Sequence, residues 1–304
     1  MIEVSHLTRR YGDLTAVDDV SFVIGRGEVV GLLGHNGAGK TTIMKMMTGF
    51  LEPSGGTIRI DRLEIGRDTP ASQTRLGYLP ENCPVWPDMT VIDYLDYQAA
   101  LHGVSPERRP RAIAQAIRRT ALSEKAARPI HTLSRGYRQR VGVAQAILHE
   151  PDIIILDEPT NGLDPTQIRH MRELVRELAT KATVIISTHI LQEVQAVCER
   201  VLILRAGRLV IDSRLEDLQA SQALLVTVEG DARTVLESVE GVSKVTELTT
   251  DETRRQYRLD APPTVAPRVA ATLAQAGLAV HELKAERHDL ETVFSRVNEE
   301  AGHA

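Results

Sequence analysis

The chain has 304 residues, 42% of them hydrophobic, enough to bury a sizeable core and to build one large and one small domain. Lys and Arg number 36 against 41 Asp and Glu, and the formal net charge of -5 argues against nucleic-acid binding by bulk positive charge. The two cysteines, Cys83 and Cys198, lack metal-ligand or redox spacing and suit a reducing compartment. The opening MIEVSHLTRR has no signal-peptide core, and apolar runs such as IIIL before Asp157 are strand-sized rather than membrane-spanning. The sequence therefore reads as soluble and cytoplasmic, without direct membrane insertion, so any membrane role comes through a partner.

In chain order, short β-type runs at 2–7, 17–24 and 28–33 alternate with turn residues, and a glycine-rich loop and a helical pattern over 41–49 follow. A strand at 76–79 precedes the proline-broken PENCPVWPD. From 90 to 149 the texture is helical: Thr90 and Asp93 form an N-cap signature, Gly103 ends that helix, and Pro106 is expected to open the next. IIILDEP, TVIIST and RVLILRAG then return to strands alternating with helices, which implies a parallel, covered sheet with 90–149 as a helical insertion. Beyond a linker near DSRLEDLQASQ, a β-α-β-β-α-β order suggests a ferredoxin-like module.

Gly34-His35-Asn36-Gly37-Ala38-Gly39-Lys40-Thr41 fits G-x-x-x-x-G-K-[ST] at every fixed position, after VVGLL and before a helix; Thr42 follows directly. Glycines let backbone N–H groups turn inward around phosphates, Lys40 can reach the β- and γ-phosphates, and the Thr41 hydroxyl can ligate Mg²⁺. The loop lacks G-x-G-x-x-G, which disfavours a dinucleotide, and the chain lacks Asn-Lys-x-Asp, which disfavours guanine. Tyr11 is a candidate to stack on adenine, although a tyrosine after a strand is more often a packing residue.

IIILDEP ends a buried strand in two carboxylates. Asp157 is placed to hold Mg²⁺ through its water shell, and Glu158, pointing elsewhere, to polarise an attacking water. His189 closes VIISTH at another strand's carboxyl end, where open α/β sheets bind ligands. The helix-opening stretch LSRGYRQR, residues 133–140, is the kind of place that holds a phosphate, about a hundred residues after the first loop, although taken alone its default reading is a solvated basic helix start.

These motifs, together with ILDEPTNGLD and STH, occur in one order at suitable spacings, and over residues 2–215 they resemble the nucleotide-binding subunit of ATP-binding cassette (ABC) transporters. The resemblance implies an α/β fold: a P-loop cassette with a mixed sheet over 1–218, a helical subdomain at about 88–150, and a small α+β accessory module over 219–304. It further implies ATP and Mg²⁺ as ligands, and two cassettes packed head to tail. Each signature, here Ser134 as helix N-cap and Gly136, then caps the γ-phosphate held by the other copy. Tyr11 matches the adenine-stacking position, Asp164 the aspartate at the dimer seam, and His189 the switch histidine.

The pattern is departed from in places. Arg135 and Tyr137 replace glycine and glutamine in the signature. Glu81, in LGYLPENC, replaces a glutamine that senses Mg²⁺ and contacts the membrane subunit, adding negative charge beside Asp157 and Glu158. A single cassette with LPE, LSRGYRQR and a C-terminal extension resembles the type-2 exporter ATPases, which implies a multi-span permease as partner, at the inner face of the cell membrane, and no nucleic acid. A soluble cassette ATPase acting on ribosomes or DNA is the alternative; such chains usually carry two cassettes or a long coiled coil.

Two other stretches have a plainer reading. PERRPRAIAQAIRR could meet anionic lipid or a membrane partner, but a solvated helix face is the simpler role. DLETVFSRV spaces Leu290, Val293 and Phe294 as a helix packing on its own module.

Overall fold

Two kinds of strand are written into the first 215 residues, and they build two different sheets. The computed structural model describes residues 1–250 and 254–287. Strands β1 (Ile2–Tyr11) and β2 (Leu14–Ile24) interleave buried and exposed residues, as a half-covered sheet requires. With β4 (Gly55–Ile60) and β5 (Leu63–Glu64) they form an antiparallel sheet in the order β2-β1-β4-β5. By contrast, β3 (Val29–Leu33), β7 (Ile153–Asp157) and β8 (Thr183–Thr188) are buried at every residue. Such continuous apolar strands belong in a sheet covered on both faces.

With β6 (Leu76–Leu79), β9 (Arg200–Arg205) and β10 (Arg208–Arg214), these strands form a second sheet in the order β10-β9-β3-β8-β7-β6. Its pairings are parallel except that of β10 with β9. The parallel pairing brings the carboxyl ends of β3, β7 and β8 side by side, with Asp157 opposite Ser187 and Leu33 opposite Thr188. A ligand crevice forms at such strand ends.

Residues 91–147 supply helices Val91–Leu101, Arg109–Arg119 and Arg135–Ile147. Thr90 caps the first, its Oγ1 accepting from the Asp93 N–H at 3.2 Å. Pro106 does not open the second. That helix starts at Arg109 with Pro110 in its first turn, because the Ser105 carbonyl first accepts from the N–H groups of Arg108 and Arg109 in a preceding turn. It buries Ile113, Ala116 and Ile117, whereas Arg108, Arg111 and Arg118 are exposed. The third helix lies tightly on β6: a Cβ at Gly77 would strike the Ala146 carbonyl, and one at Gly142 would strike Cys83 and Leu79.

The chain divides after Leu215. The second unit holds β11 (Ala220–Glu229), β12 (Lys244–Thr250), β13 (Arg254–Asp260) and β14 (Val280–Arg287) as an antiparallel sheet in the order β12-β13-β11-β14. Helices Arg233–Glu237 and Ala266–Gln275 contribute Leu236, Val269 and Leu273 to a core with Leu224, Val226, Val228, Tyr257 and Leu259. This is the β-α-β-β-α-β arrangement of a ferredoxin-like module. The helix expected around Leu290, Val293 and Phe294 lies outside the described residues.

Candidate active site

The glycine-rich loop turns directly out of β3 into helix Lys40–Met47. Gly37 and Gly39 have φ of +82° and +102°, backbone that side-chain-bearing residues rarely adopt. Gly39 is doubly constrained, since a Cβ there would sit 2.7 Å from the Ala16 carbonyl oxygen. The Ala38 N–H closes the turn on the His35 carbonyl at 3.0 Å. His35, Asn36 and Gly37 remain exposed at its crest, and Thr42 follows Thr41 on the first helical turn. Lys40 is buried and folds back over the loop, donating to the carbonyls of Gly34 at 2.6 Å and His35 at 3.2 Å. Burial lowers its pKa, while Glu158, Asp157 and Glu81 act in the opposite sense.

Asp157 reaches the same place from the end of β7. The Thr41 hydroxyl donates to its Oδ2 at 3.2 Å. Burial pushes the Asp157 carboxyl up to about 6; the Thr41 hydrogen bond opposes the shift, and the charges of Glu81 and Glu158 add to it. A carboxylate buried among other negative charges is a group that a cation would relieve. Thr41 and Asp157 present hard oxygens side by side, which fits Mg²⁺, an ion that keeps several waters and takes phosphate oxygens as further ligands. Among the described residues no trio of His, Cys, Asp and Glu is arranged to hold a metal unaided. Glu81 is exposed and acts on Asp157 through charge rather than contact.

Glu158 is buried and aims its carboxylate away from Asp157, toward the end of β8. His189 Nδ1 lies 2.8 Å from its Oε1, and the Thr188 hydroxyl donates to its Oε2 at 3.4 Å. The Glu158 backbone has φ +49°, left-handed for a non-glycine residue. The adjacent carboxylates of Asp157 and Glu158 thus serve different neighbours, Thr41 for the first and Thr188 and His189 for the second.

Lys40, Thr41, Asp157, Glu158 and His189 thus converge on one crevice, with the charge of Glu81 reaching it. Tyr11 does not join them. It ends β1 with 45% of its surface exposed, the Arg9 guanidinium stacked 4.6 Å from its ring centroid. It lines a groove of about 1080 Å³ together with Lys45, Phe50 and Tyr78.

Ser134, Gly136 and Asp164 form a second constellation. Ser134 caps helix Arg135–Ile147, its Oγ accepting from the Tyr137 N–H at 3.4 Å. Asp164 caps helix Pro165–Ala179, accepting from the Gln167 N–H at 2.9 Å. A Cβ on Gly136 would meet the side-chain oxygen of Gln167 and lie 3.1 Å from Leu163, so the space there is tight, although a turn of the Gln167 side chain would relieve the closest contact. Among the described residues no hydrogen bond joins Ser134 or Gly136 to the phosphate loop. The first turn of the Ser134-capped helix holds no acidic residue, which leaves its positive end to an incoming anion.

Sequence reasoning passed over Thr188, Gln139, Thr160 and Glu193. The first was legible as the residue before His189 at a strand end. The others hydrogen-bond across the fold, a relation no local pattern encodes.

The sequence model of the ABC transporter family matches residues 17–161. The chain is 36% identical over 228 residues to the ABC transporter ATP-binding protein NatA of Bacillus subtilis (strain 168), covering 73% of this chain and 93% of that protein. It is 28% identical over 303 residues to the linearmycin resistance ATP-binding protein LnrL of the same organism, covering 97% of each. A solved ATP-binding subunit of an ABC transporter superposes with a TM-score of 0.67 at 32% identity, over 72% of this chain and 91% of that one.

Proposed function

Since the chain belongs to the ABC transporter ATP-binding proteins, a family of ATPases, we propose that two copies act as a pair of cassettes driving export through a separate permease. One observation carries this reading. The chain has two phosphate-binding constellations, the loop at Gly34–Thr42 and the helix start at Ser134–Gly136, where Ser134 and Arg135 are exposed and Gly136 is buried, with no hydrogen bond between them among the described residues. A head-to-tail pair gives the second constellation a ligand: the γ-phosphate on the neighbour's loop. Asp164, capping the next helix, then lies at the seam.

In this proposal the loop N–H groups and Lys40 hold the β- and γ-phosphates, and Tyr11 stacks on adenine. Thr41, Asp157 and Glu81 would hold Mg²⁺, which when bound would neutralise phosphate charge. Glu158 accepts a proton from water as the water oxygen attacks the γ-phosphorus and the bond to the ADP oxygen breaks. His189, 2.8 Å from Glu158, orients that carboxylate and meets the γ-phosphate. Positioning and charge stabilisation supply most of the acceleration.

The groove that Tyr11 also lines includes Pro80, the neighbour of Glu81 in sequence, and its apolar remainder supports a permease as partner. Its lining includes Leu51, Tyr78, Pro80, Pro84 and Leu101, and Phe50 on its rim is 72% exposed. No helix of the described residues is long and apolar enough to cross a membrane, so a membrane-embedded partner is the component this reading requires, with the chain held at the inner membrane face. Export is supported by the similarity, over 97% of each chain, to a protein named for linearmycin resistance.

Glu158→Gln tests the reading. It should bind ATP, shift from monomer to dimer in light scattering with ATP present, and lose turnover by about 10²-fold or more. A variant that stays monomeric with ATP, or that hydrolyses at the wild-type rate, overturns it.

A further inference from the structure

Glu158 holds a left-handed backbone, φ +49°, at a position where glycine would be at ease. Such a conformation is unfavourable for an ordinary residue and persists only where its surroundings enforce it. Three hydrogen bonds enforce it here. The Glu158 N–H donates to the Ser187 carbonyl at 2.9 Å, and the Glu158 carbonyl accepts from the Asn161 N–H at 3.1 Å. The third comes from another element: Gln139 Nε2, on helix Arg135–Ile147, donates to the same carbonyl at 3.3 Å. Gln139 is 4% exposed, so this amide has little recourse to water.

The same helix face meets the loop after Glu158 a second time. Arg135 and Gly136 lie three to four residues before Gln139, one turn along the face. The Arg135 side chain lies across Gly162, where a Cβ would come within 2.9 Å of its Cδ, and Gly136 abuts Leu163 and Gln167. One rigid helix therefore bears on the loop from Glu158 to Asp164 at both ends. Its N-terminus is the part left open to an anion.

We infer that Gln139 is a positioning residue that ties the signature helix to the Glu158 of its own chain. The inference rests on the paired-cassette reading in one respect: the helix that grips the neighbour's γ-phosphate then sets the base acting on its own chain's nucleotide. The tie itself lies within one chain. Removing the amide frees the Glu158 peptide, and the carboxylate loses its aim at water without losing contact with ATP. Hydrolysis is sensitive to such loss, since a misplacement of about 1 Å can cost on the order of 10²-fold.

The test uses the full chain with ATP and Mg²⁺. Gln139→Leu should lower kcat by about 10-fold or more and leave KM for ATP within about twofold. If Leu lowers the melting temperature, Gln139→Met, which keeps the length and drops the donor, carries the measurement. Mixed dimers then locate the effect. With Q139L and E158Q in one chain and a wild-type partner, turnover should equal that of E158Q paired with wild type. With Q139L in one chain and E158Q in the other, turnover should fall by the factor seen for Q139L alone. The reverse pattern would place Gln139 in service of the neighbour's nucleotide and overturn the inference, as would an unchanged kcat. Failure to form dimers would sink the paired-cassette reading alone, because the kcat and KM split of Q139L is still read within one chain.

Discussion

The Thr160 hydroxyl donates to the Glu193 carboxylate, joining the loop after Glu158 to the helix after His189. Both side chains are sealed, at 5% and 4% exposure. Burial raises the Glu193 pKa, and the Thr160 hydrogen bond and the Arg172 charge act against that rise. Thr160→Val leaves a buried carboxylate without its donor, so stability should fall by about 1–3 kcal/mol in urea denaturation. Glu193→Gln keeps an acceptor oxygen for Thr160 and should lose less than Thr160→Val. A larger loss for Glu193→Gln than for Thr160→Val would mean that the charge, more than the hydrogen bond, holds the loop.

Two loop glycines should separate strain from collision. At Gly37 a Cβ has no atom within 4 Å, so Gly37→Ala meets only the cost of its positive φ, about 1–2 kcal/mol. At Gly39 the Cβ also meets the Ala16 carbonyl oxygen at 2.7 Å, and that backbone belongs to β2. Gly39→Ala should therefore destabilise more than Gly37→Ala and abolish ATP binding in a titration. Matching melting temperatures for the two variants would contradict this geometry.

The same contrast shows what the sequence could reveal. Gly39, Lys40 and Thr41 are adjacent, and β3, β7 and β8 are apolar enough to be read as buried parallel strands; their carboxyl ends therefore located Asp157, Glu158 and His189 in advance. The helix caps at Thr90 and Ser134 were legible because an N-cap interacts within three residues. Pro106 misled because a proline is equally at home in the turn before a helix and in its first turn. The bonds from Gln139 to Glu158 and from Thr160 to Glu193 span 19 and 33 residues. They depend on how helices pack over strand ends, and polar residues on a helical pattern read as solvated until that packing is known.

Tyr11 offers one ring face to the Arg9 guanidinium at 4.6 Å and remains 45% exposed. If adenine covers the exposed surface, Tyr11→Ala should weaken ATP binding by about 1–2 kcal/mol, roughly 10-fold in Kd, whereas Tyr11→Phe keeps the ring and should bind like wild type. Inorganic triphosphate lacks a base, so its affinity should be the same in all three. A parallel loss for triphosphate would assign Tyr11 to loop packing instead.

His102 and His149 stack with ring centroids 4.0 Å apart and planes within 5°. His149 Nε2 lies 3.0 Å from the Leu76 carbonyl oxygen. Burial first, and the His102 charge second, bring the His149 pKa down to about 4, and burial lowers His102 as well. The cavity beside the pair presents Glu107, Arg108, Arg111 and Glu150. A folded pKa below the unfolded value, about 6.5 for histidine, means that the unfolded chain takes up the proton first as pH falls. The stabilisation is complete above pH 6.5 and is lost between 6.5 and 4. At pH 5, after a discount for the partial exposure of His149, the loss should be about 1–2 kcal/mol relative to pH 7. His149→Gln has no proton to gain. Urea denaturation at pH 7 and pH 5 should therefore show a smaller drop for the variant by about that amount, and identical drops would remove His149 as the source of the acid sensitivity.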